Sequence, residues 1–177
     1  MSSQHTNTMD TVTSSSEFHN LADRWTLWAH LPHNTDWSLK SYIAIATFKT
    51  LEETIAVTES LPVPLVENCM LFMMKEGIAP MWEDKKNRDG GCFSYKVLNK
   101  DVSKAWTELT YRIVGGSISQ TQTFVNSVTG ITISPKKNFC IIKIWLSNCN
   151  HQNPTAVSPV KGLQSKGCLF KKHTPEF

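Results

Sequence analysis

The chain has no apolar run approaching the ~20 residues a spanning helix requires, and its five cysteines, Cys69, Cys92, Cys140, Cys149 and Cys168, contain no C-x-x-C pair. The first absence argues against a helical membrane span. The polar N-terminus, which lacks the apolar stretch of a signal peptide, gives no sign of export. The second absence, with the odd count, removes both a disulfide framework and a zinc site. Six histidines without an H-x-x-x-H spacing do not restore the metal. Reduced thiols in a cytosolic or nuclear protein are expected. Also missing are a nucleophile elbow, a phosphate loop and any Cys-His constellation. The pair Glu52-Glu53 belongs to a helix start, where carboxylates suit the macrodipole. An enzyme is therefore not expected, and no cofactor is called for.

What is present fits one globular domain. Its 177 residues are 40% hydrophobic and 19% charged, enough to bury a core. A net charge of +3 permits contact with nucleic acid without arguing for it. Tryptophan is the unusual count, with six: Trp25, Trp28, Trp37, Trp82, Trp106 and Trp145. Such side chains are costly to bury completely and often keep the N–H for a partner, so part of the set reads as core and part as binding surface.

Residues 1–17 are dominated by Ser, Thr, Asn and Gln and read as a disordered tail. From Arg24 apolar residues alternate, with Trp25, Leu27, Ala29 and Leu31 on one face of a strand and Thr26, Trp28 and His30 on the other. A second strand is expected at 42–47. Thr50 and Glu53 are spaced as a capping box and open a helix over 51–60, which Pro62 and Pro64 break. Strands follow at 69–75 and 93–98. Asp101 is expected to cap a helix carrying Ala105, Trp106, Leu109, Ile113 and Val114, stopping at Gly115-Gly116. Two late strands, 125–133 and 139–146, flank the loop Ser134-Pro135-Lys136-Lys137-Asn138, and the segment after about 150 is expected to be irregular. Strands joined by short links and interrupted by helices predict an α+β fold, an antiparallel sheet with helices on one face.

Trp82-Glu83 lies in Ile78-Ala79-Pro80-Met81-Trp82-Glu83-Asp84-Lys85-Lys86-Asn87, ahead of Gly90-Gly91. Pro80 and the charges after it mark a surface turn, where packing does not obviously demand an indole. The adjacent carboxylate is an acceptor able to receive two parallel N–H donors. An indole face beside a bidentate acceptor suits a flat, donor-edged ring such as guanine. The bland reading is a turn Trp capping the core edge beside a solvated charge. Trp37 follows the loop of Pro32, His33, Asn34 and Asp36, and two loop indoles could sandwich a planar ring between them.

The segments His19-Asn20-Leu21-Ala22-Asp23-Arg24-Trp25-Thr26-Leu27-Trp28 and Gly77 to Asn87, with the order of Trp37, Trp82, Trp106 and Trp145, resemble the mRNA cap-binding family, eukaryotic translation initiation factor 4E. The resemblance covers about residues 18–147. It implies a single curved antiparallel sheet with about three helices on its convex face and a monomer that holds the mRNA 5′ cap on the concave face. Carried onto this chain, Trp37 and Trp82 would sandwich 7-methylguanine, Glu83 would accept ring N1–H and N2–H, and Trp145 would contact the N7-methyl group. Lys136, Lys137 and Lys143 would meet the triphosphate, with Cys92 standing where the family commonly has an arginine. The convex side implies a partner, a 4G-type scaffold or a 4E-binding-type protein, gripped through His19, Leu21, Leu51, Ile55, Thr107, Glu108 and Tyr111. Here His19-Asn20-Leu21 replaces the usual His-Pro-Leu, Ile55 stands where a Trp is expected, and Thr107 and Tyr111 replace leucines. The function implied is binding of capped mRNA and its recruitment for translation. The alternatives are a cap-binding regulator with a non-standard partner and an interaction module that has lost the cap.

Overall fold

The structure, a computed structural model, describes residues 18–176, so the polar stretch 1–17 lies outside the described residues. Strict alternation builds the first strand, β1 (Asn20–His30). Trp25, Leu27 and Ala29 enter the main core, while Thr26 and His30 are buried on the opposite face. The loop that follows holds Trp37 and tightens into a 3-10 turn at Leu39–Ser41. β2 (Tyr42–Thr50) then returns antiparallel to β1.

Two orphan donors at the start of α1 (Leu51–Ser60) are satisfied by the capping box read from the sequence. The Glu53 N–H donates to Thr50 Oγ1 at 3.2 Å, and the Thr50 N–H donates to Glu53 Oε2 at 3.2 Å. Pro62 and Pro64 end α1 as expected and then do something the sequence reading missed. Pro62 is the N-cap, and Pro64 lies in the first turn, of α2 (Val63–Asn68). A proline's missing N–H costs nothing where no intrahelical acceptor is available. β3 (Met70–Lys75) and β4 (Gly91–Leu98) follow.

The long helix α3 (Asn99–Val114) starts before Asp101, with Leu98 as an N-cap that lends no side-chain bond. Asp101 is therefore inside the first turn, where its charge meets the positive end of the dipole, and is not the cap the sequence suggested. The expected strand from Val125 is also corrected. Val125 belongs to α4 (Gln122–Ser127), a six-residue helix too short to show helical periodicity, and β5 spans Val128–Pro135. β6 (Phe139–Leu146) completes a hairpin with it. In the segment expected to be irregular, four residues form β7 (Leu169–Lys172).

All seven strands of the described residues join one sheet in the order β2-β1-β3-β5-β6-β4-β7, every pair antiparallel. Register shifts between Leu27 and Trp28 and between Val128 and Gly130 are of the kind that bends and twists a sheet. Four α-helices are described where about three were expected, and two of them, α2 and α4, have six residues each. One face of the sheet packs under helices in a cluster that includes Trp25, Leu71, Phe93, Trp106, Leu109 and Ile144. The open face carries a second, smaller cluster of Phe72, Met74, Cys92 and Trp145, with Trp28, Tyr42, Met70, Ile78 and Trp82 packed against it. Gly90 makes the turn into β4 possible: a Cβ there would lie 1.7 Å from the Leu146 carbonyl oxygen.

Candidate functional site

The loop between β3 and β4 is held by its own polar groups. Asp84 accepts from the Ala79 N–H at 2.9 Å and from the Lys86 N–H at 2.8 Å. Asn87, fully buried, donates its side-chain amide to the carbonyls of Ala79 at 3.1 Å and Met81 at 2.8 Å. Trp82 and Glu83 sit between these anchor points, so the pair is presented by a braced turn. Among the described residues none accepts the Trp82 backbone N–H.

Behind Trp82 stands His173, just past the end of β7. Its ring stacks on the indole at 5.4 Å between centroids and 17° between planes. A carbonyl only accepts, so His173 Nδ1 carries the hydrogen it shares with the Asn87 oxygen at 2.7 Å. The His173 backbone N–H donates to the Gly90 carbonyl oxygen at 2.9 Å. Burial holds the imidazole pKa below its ordinary value, with the Lys143 charge acting in the same direction and the Asn87 bond and Glu83 opposing.

Aromatic contacts cross the open face without a break. Trp37 stacks on His30 of β1, and His30 meets the edge of Tyr42 of β2. Tyr42 meets Phe72 of β3, and Phe72 meets Trp145 of β6. Trp145 touches His173, and His173 carries Trp82. The two loop indoles are thus the ends of one arc of rings. The arc borders a cavity of about 590 Å³ lined by Trp37, Tyr42, Phe72, Trp82, Glu83 and Trp145, among others. All four residues read from the sequence as gripping a planar ring, Trp37, Trp82, Glu83 and Trp145, are brought together here.

The walls are apolar and the charges few. Burial pushes the Tyr42 phenol up to about 12, and the nearby Glu83 carboxylate adds to the shift. Glu83 Oε1 accepts a long 3.5 Å bond from the Glu176 N–H, and Glu176 also lines the cavity. Lys143 lines it too, with Nζ 5.9 Å from the Trp82 ring centre. Lys171 of β7 places its Nζ 5.7 Å from the same ring. Lys136 and Lys137 are not in the cavity wall: they occupy the exposed tip of the β5–β6 hairpin, where the Lys136 N–H donates to the Phe139 oxygen at 2.8 Å. Cys92 is buried, its thiol pushed up by desolvation, so it adds no charge. Among the described residues no group of three His, Cys, Asp or Glu is placed to hold a metal ion, and no helix is long and apolar enough to cross a membrane.

The residues read as a partner surface lie on the helical side. His19 Nδ1 is 2.6 Å from Glu52 Oε1, and the Leu51 N–H donates to the His19 oxygen at 2.8 Å, tying β1 to α1. Leu21 packs against the main core, Leu51 is exposed and Ile55 is half-buried. α1 packs beside α3, where Thr107, Glu108 and Tyr111 share a shallow groove with Ser103 and Lys104. The Glu108 carboxylate is already engaged, by Arg112 Nε at 3.0 Å and by the Lys161 N–H at 3.2 Å.

Sequence reasoning missed His30, Tyr42, Phe72, Thr132 and His173 as parts of the site. The alternation in β1 did place His30 on the face opposite Trp25. Carrying that parity across the sheet would have brought Tyr42 and Phe72 beside it, since His30 pairs with Tyr42 and Trp28 with Phe72. His173 carried no comparable signal.

Comparison with known proteins agrees with this geometry. The model of the family described as Eukaryotic initiation factor 4E matches residues 20–169. The chain is 31% identical over 147 residues to eukaryotic translation initiation factor 4E-2 of Schizosaccharomyces pombe, covering 76% of this chain and 56% of that protein. It is 31% identical over 146 residues to eukaryotic translation initiation factor 4E of Candida albicans, covering 75% of this chain and 66% of that protein. It therefore spans less than two thirds of either relative. Among solved structures, schistosome eIF4E complexed with m7GpppG and 4E-BP superposes with a TM-score of 0.68 at 27% identity, over 76% of this chain and 75% of that one. With the sheet, the paired loop indoles and the Trp-Glu turn in place, the match over 20–169 has one meaning: the chain belongs to the eukaryotic initiation factor 4E family.

Proposed function

We propose that this chain binds the 7-methylguanosine 5′ cap of mRNA and recruits capped message for translation initiation through a protein partner. One observation carries the reading: Trp37, the pair Trp82-Glu83, and Trp145, from three separate places in the sequence, line a single cavity. Methylation at N7 makes the purine cationic. A cation between two indole faces gains from both ring quadrupoles, and each base–aromatic stack is worth ~1–3 kcal/mol. Glu83 adds a charge-assisted bidentate acceptor for N1–H and N2–H. Unmethylated guanine lacks the charge and binds more weakly. Lys143, with Lys171 beside it, meets the phosphates, and the partner occupies the helical side. The protein acts in the cytosol as a non-enzymatic monomer.

Retention on a cap-analogue resin tests this. The wild type is retained and eluted by free 7-methylguanosine triphosphate, while Trp82→Ala and Glu83→Ala pass through. Equal behaviour of all three proteins would refute cap binding.

The engaged Glu108 favours a second reading of the partner. A helix docking on Thr107 and Tyr111 must accept a carboxylate already shared with Arg112 and Lys161, or displace them. That suits a regulator with a partner of altered anchors. Competition between peptides of the scaffold and repressor types for the free protein distinguishes the two.

A further inference from the structure

His30 was not singled out by the sequence, and the proposed reading of the cavity does not use it. It is 2% exposed and does not line the cavity, whereas Trp37 is 53% exposed and does. The imidazole and the indole are nearly parallel, 3° between planes with centroids 4.1 Å apart. One face of Trp37 is thus covered from behind by His30 and the other is left for a ligand. The same imidazole also holds the backbone that delivers the indole: His30 Nε2 lies 2.8 Å from the carbonyl oxygen of Asp36, the residue before Trp37. The rest of the loop is tied mainly to itself, through Asn34 to the Asp36 N–H and through Asp36 to Ser38.

We propose that His30 is the positioning residue for Trp37, and that a proton on His30 weakens the grip of this indole on a cationic ring. The proposal rests on the reading of the cavity as a site for a methylated, positively charged base. Because the Asp36 carbonyl only accepts, Nε2 bears hydrogen whether the ring is neutral or charged, and the added proton goes to Nδ1. Protonation therefore leaves the Asp36 bond in place and alters the charge under the indole. A neutral imidazole leaves the quadrupole of Trp37 available to the ligand's charge. An imidazolium draws on that quadrupole from behind and sets a like charge one ring away from the base.

The groups facing His30 leave this charge change visible. From β2 comes the Tyr42 phenol, whose pKa is pushed up to about 12 by burial, so it stays neutral. From the α2–β3 junction the Cys69 thiol, also raised by burial, donates to the His30 carbonyl at 3.4 Å. From β3 the partner is Met70, which does not titrate. From the loop comes the Asp36 carboxylate, held below the usual carboxylate range chiefly by the Ser38 N–H and hydroxyl, with Lys40 nearby. Between pH 5.5 and 8 these groups therefore keep a constant charge, and His33 of the same loop is common to the wild type and both His30 variants.

The test measures affinity for 7-methylguanosine triphosphate and for GTP between pH 5.5 and 8 in wild type, His30→Ala and His30→Phe. In parallel, the Trp37 indole N–H resonance, identified by its loss in Trp37→Phe, is followed without ligand. At pH 7.5 His30→Ala should bind the methylated ligand about three- to tenfold more weakly, the scale of a lost aromatic pair, and His30→Phe should recover part of that loss. On acidification the preference of the wild type for methylated over unmethylated ligand should shrink by about two- to fivefold, and that shrinkage should be absent in His30→Phe. Any contribution of His173 is common to all three proteins and cancels in the comparison. The free Trp37 resonance should titrate in the wild type and stay flat in His30→Phe. Superimposable affinity profiles for the three proteins, or a Trp37 resonance that does not move with pH, would overturn the proposal. A wild type that binds no cap analogue overturns the cap reading and with it the weakened grip, while the free-protein titration still decides whether His30 acts on Trp37.

Discussion

Cys92 and Trp145 are register partners across the β4–β6 ladder, and Lys171 is the partner of Cys92 on its other side. Directly opposed residues in antiparallel strands share a face, so thiol, indole and ammonium form one row on the open face. The neutral thiol leaves the positive charge of this region to Lys143 and Lys171. Each ammonium rests within 6 Å of the Trp82 ring centre, from where it can exchange a cation–π contact for a phosphate oxygen. Lys143→Ala and Lys171→Ala should each weaken the triphosphate ligand by about three- to tenfold and leave the bare methylated nucleoside nearly unaffected. The slope of affinity against salt should become shallower in both. Lys136→Ala with Lys137→Ala, at the hairpin tip, should change the slope less. Fluorescence titrations at several ionic strengths read all three.

Thiol chemistry checks the burial of that row. Cys92 is 1% exposed and its pKa is raised chiefly by desolvation, the Lys143 and Lys171 charges opposing. The thiolate is the reactive form. Cys92 should be modified by an aromatic disulfide reagent at pH 8 at least about a hundredfold more slowly than in denaturant, and well after the partly exposed Cys149. Peptide mapping of a time course gives both rates, and early labelling of Cys92 would contradict the packing described.

Asn87 is the brace of the Trp82 turn. Replacing it with Ala removes two donors from the partly buried carbonyls of Ala79 and Met81 and leaves a void where its buried side chain was. Asn87→Ala should cost roughly 2–3 kcal/mol, a fall in Tm of about 4–12 °C for a domain of this size. Thermal melts measure the loss. Cap affinity measured well below the new Tm should fall as well, because the turn that presents Trp82 and Glu83 loses its ties.

Stability should also depend on pH through His173. Its pKa in the folded protein is below the ordinary value of about 6.5. Above that value the ring is neutral in both folded and unfolded chains and contributes no difference. As pH falls below it, the unfolded chain takes up a proton that the folded chain resists, and stability is lost until the folded pKa is passed. Denaturant melts at pH 7.5 and 5.5 should show a drop that is smaller in His173→Gln. An equal drop in both would place the titration elsewhere.

The parts of the fold that follow from local rules could be read in the sequence. Period-two alternation found β1, and the Thr50–Glu53 pair found the start of α1. The misses have physical causes. α4 and β7 are too short to show a period, and Pro64 signals a break and a first turn with the same chemistry. The site divides in the same way. Trp82-Glu83 stood out because a turn did not need an indole, whereas His30 and His173 look ordinary in sequence and matter only through the rings they stack on. That pairing is set by strand order, which places β1, from the start of the sheet-forming chain, and β7, from its end, near opposite edges of one surface.

The arc of rings from Trp37 to Trp82 works like a caliper. Its jaws are two loop indoles, and the gap between them is fixed by the rings packed in series across the sheet, not by the loops alone. The thickness of what it accepts is therefore written in part into His30 and His173, which stand behind the cavity wall and do not line it. Thinning the middle of the arc, as in Phe72→Leu, changes the gauge while both jaws keep their chemistry. Ligands with the same charge and the same hydrogen-bonding edge would then be sorted by how well they fill the space, flat single purines losing ground first.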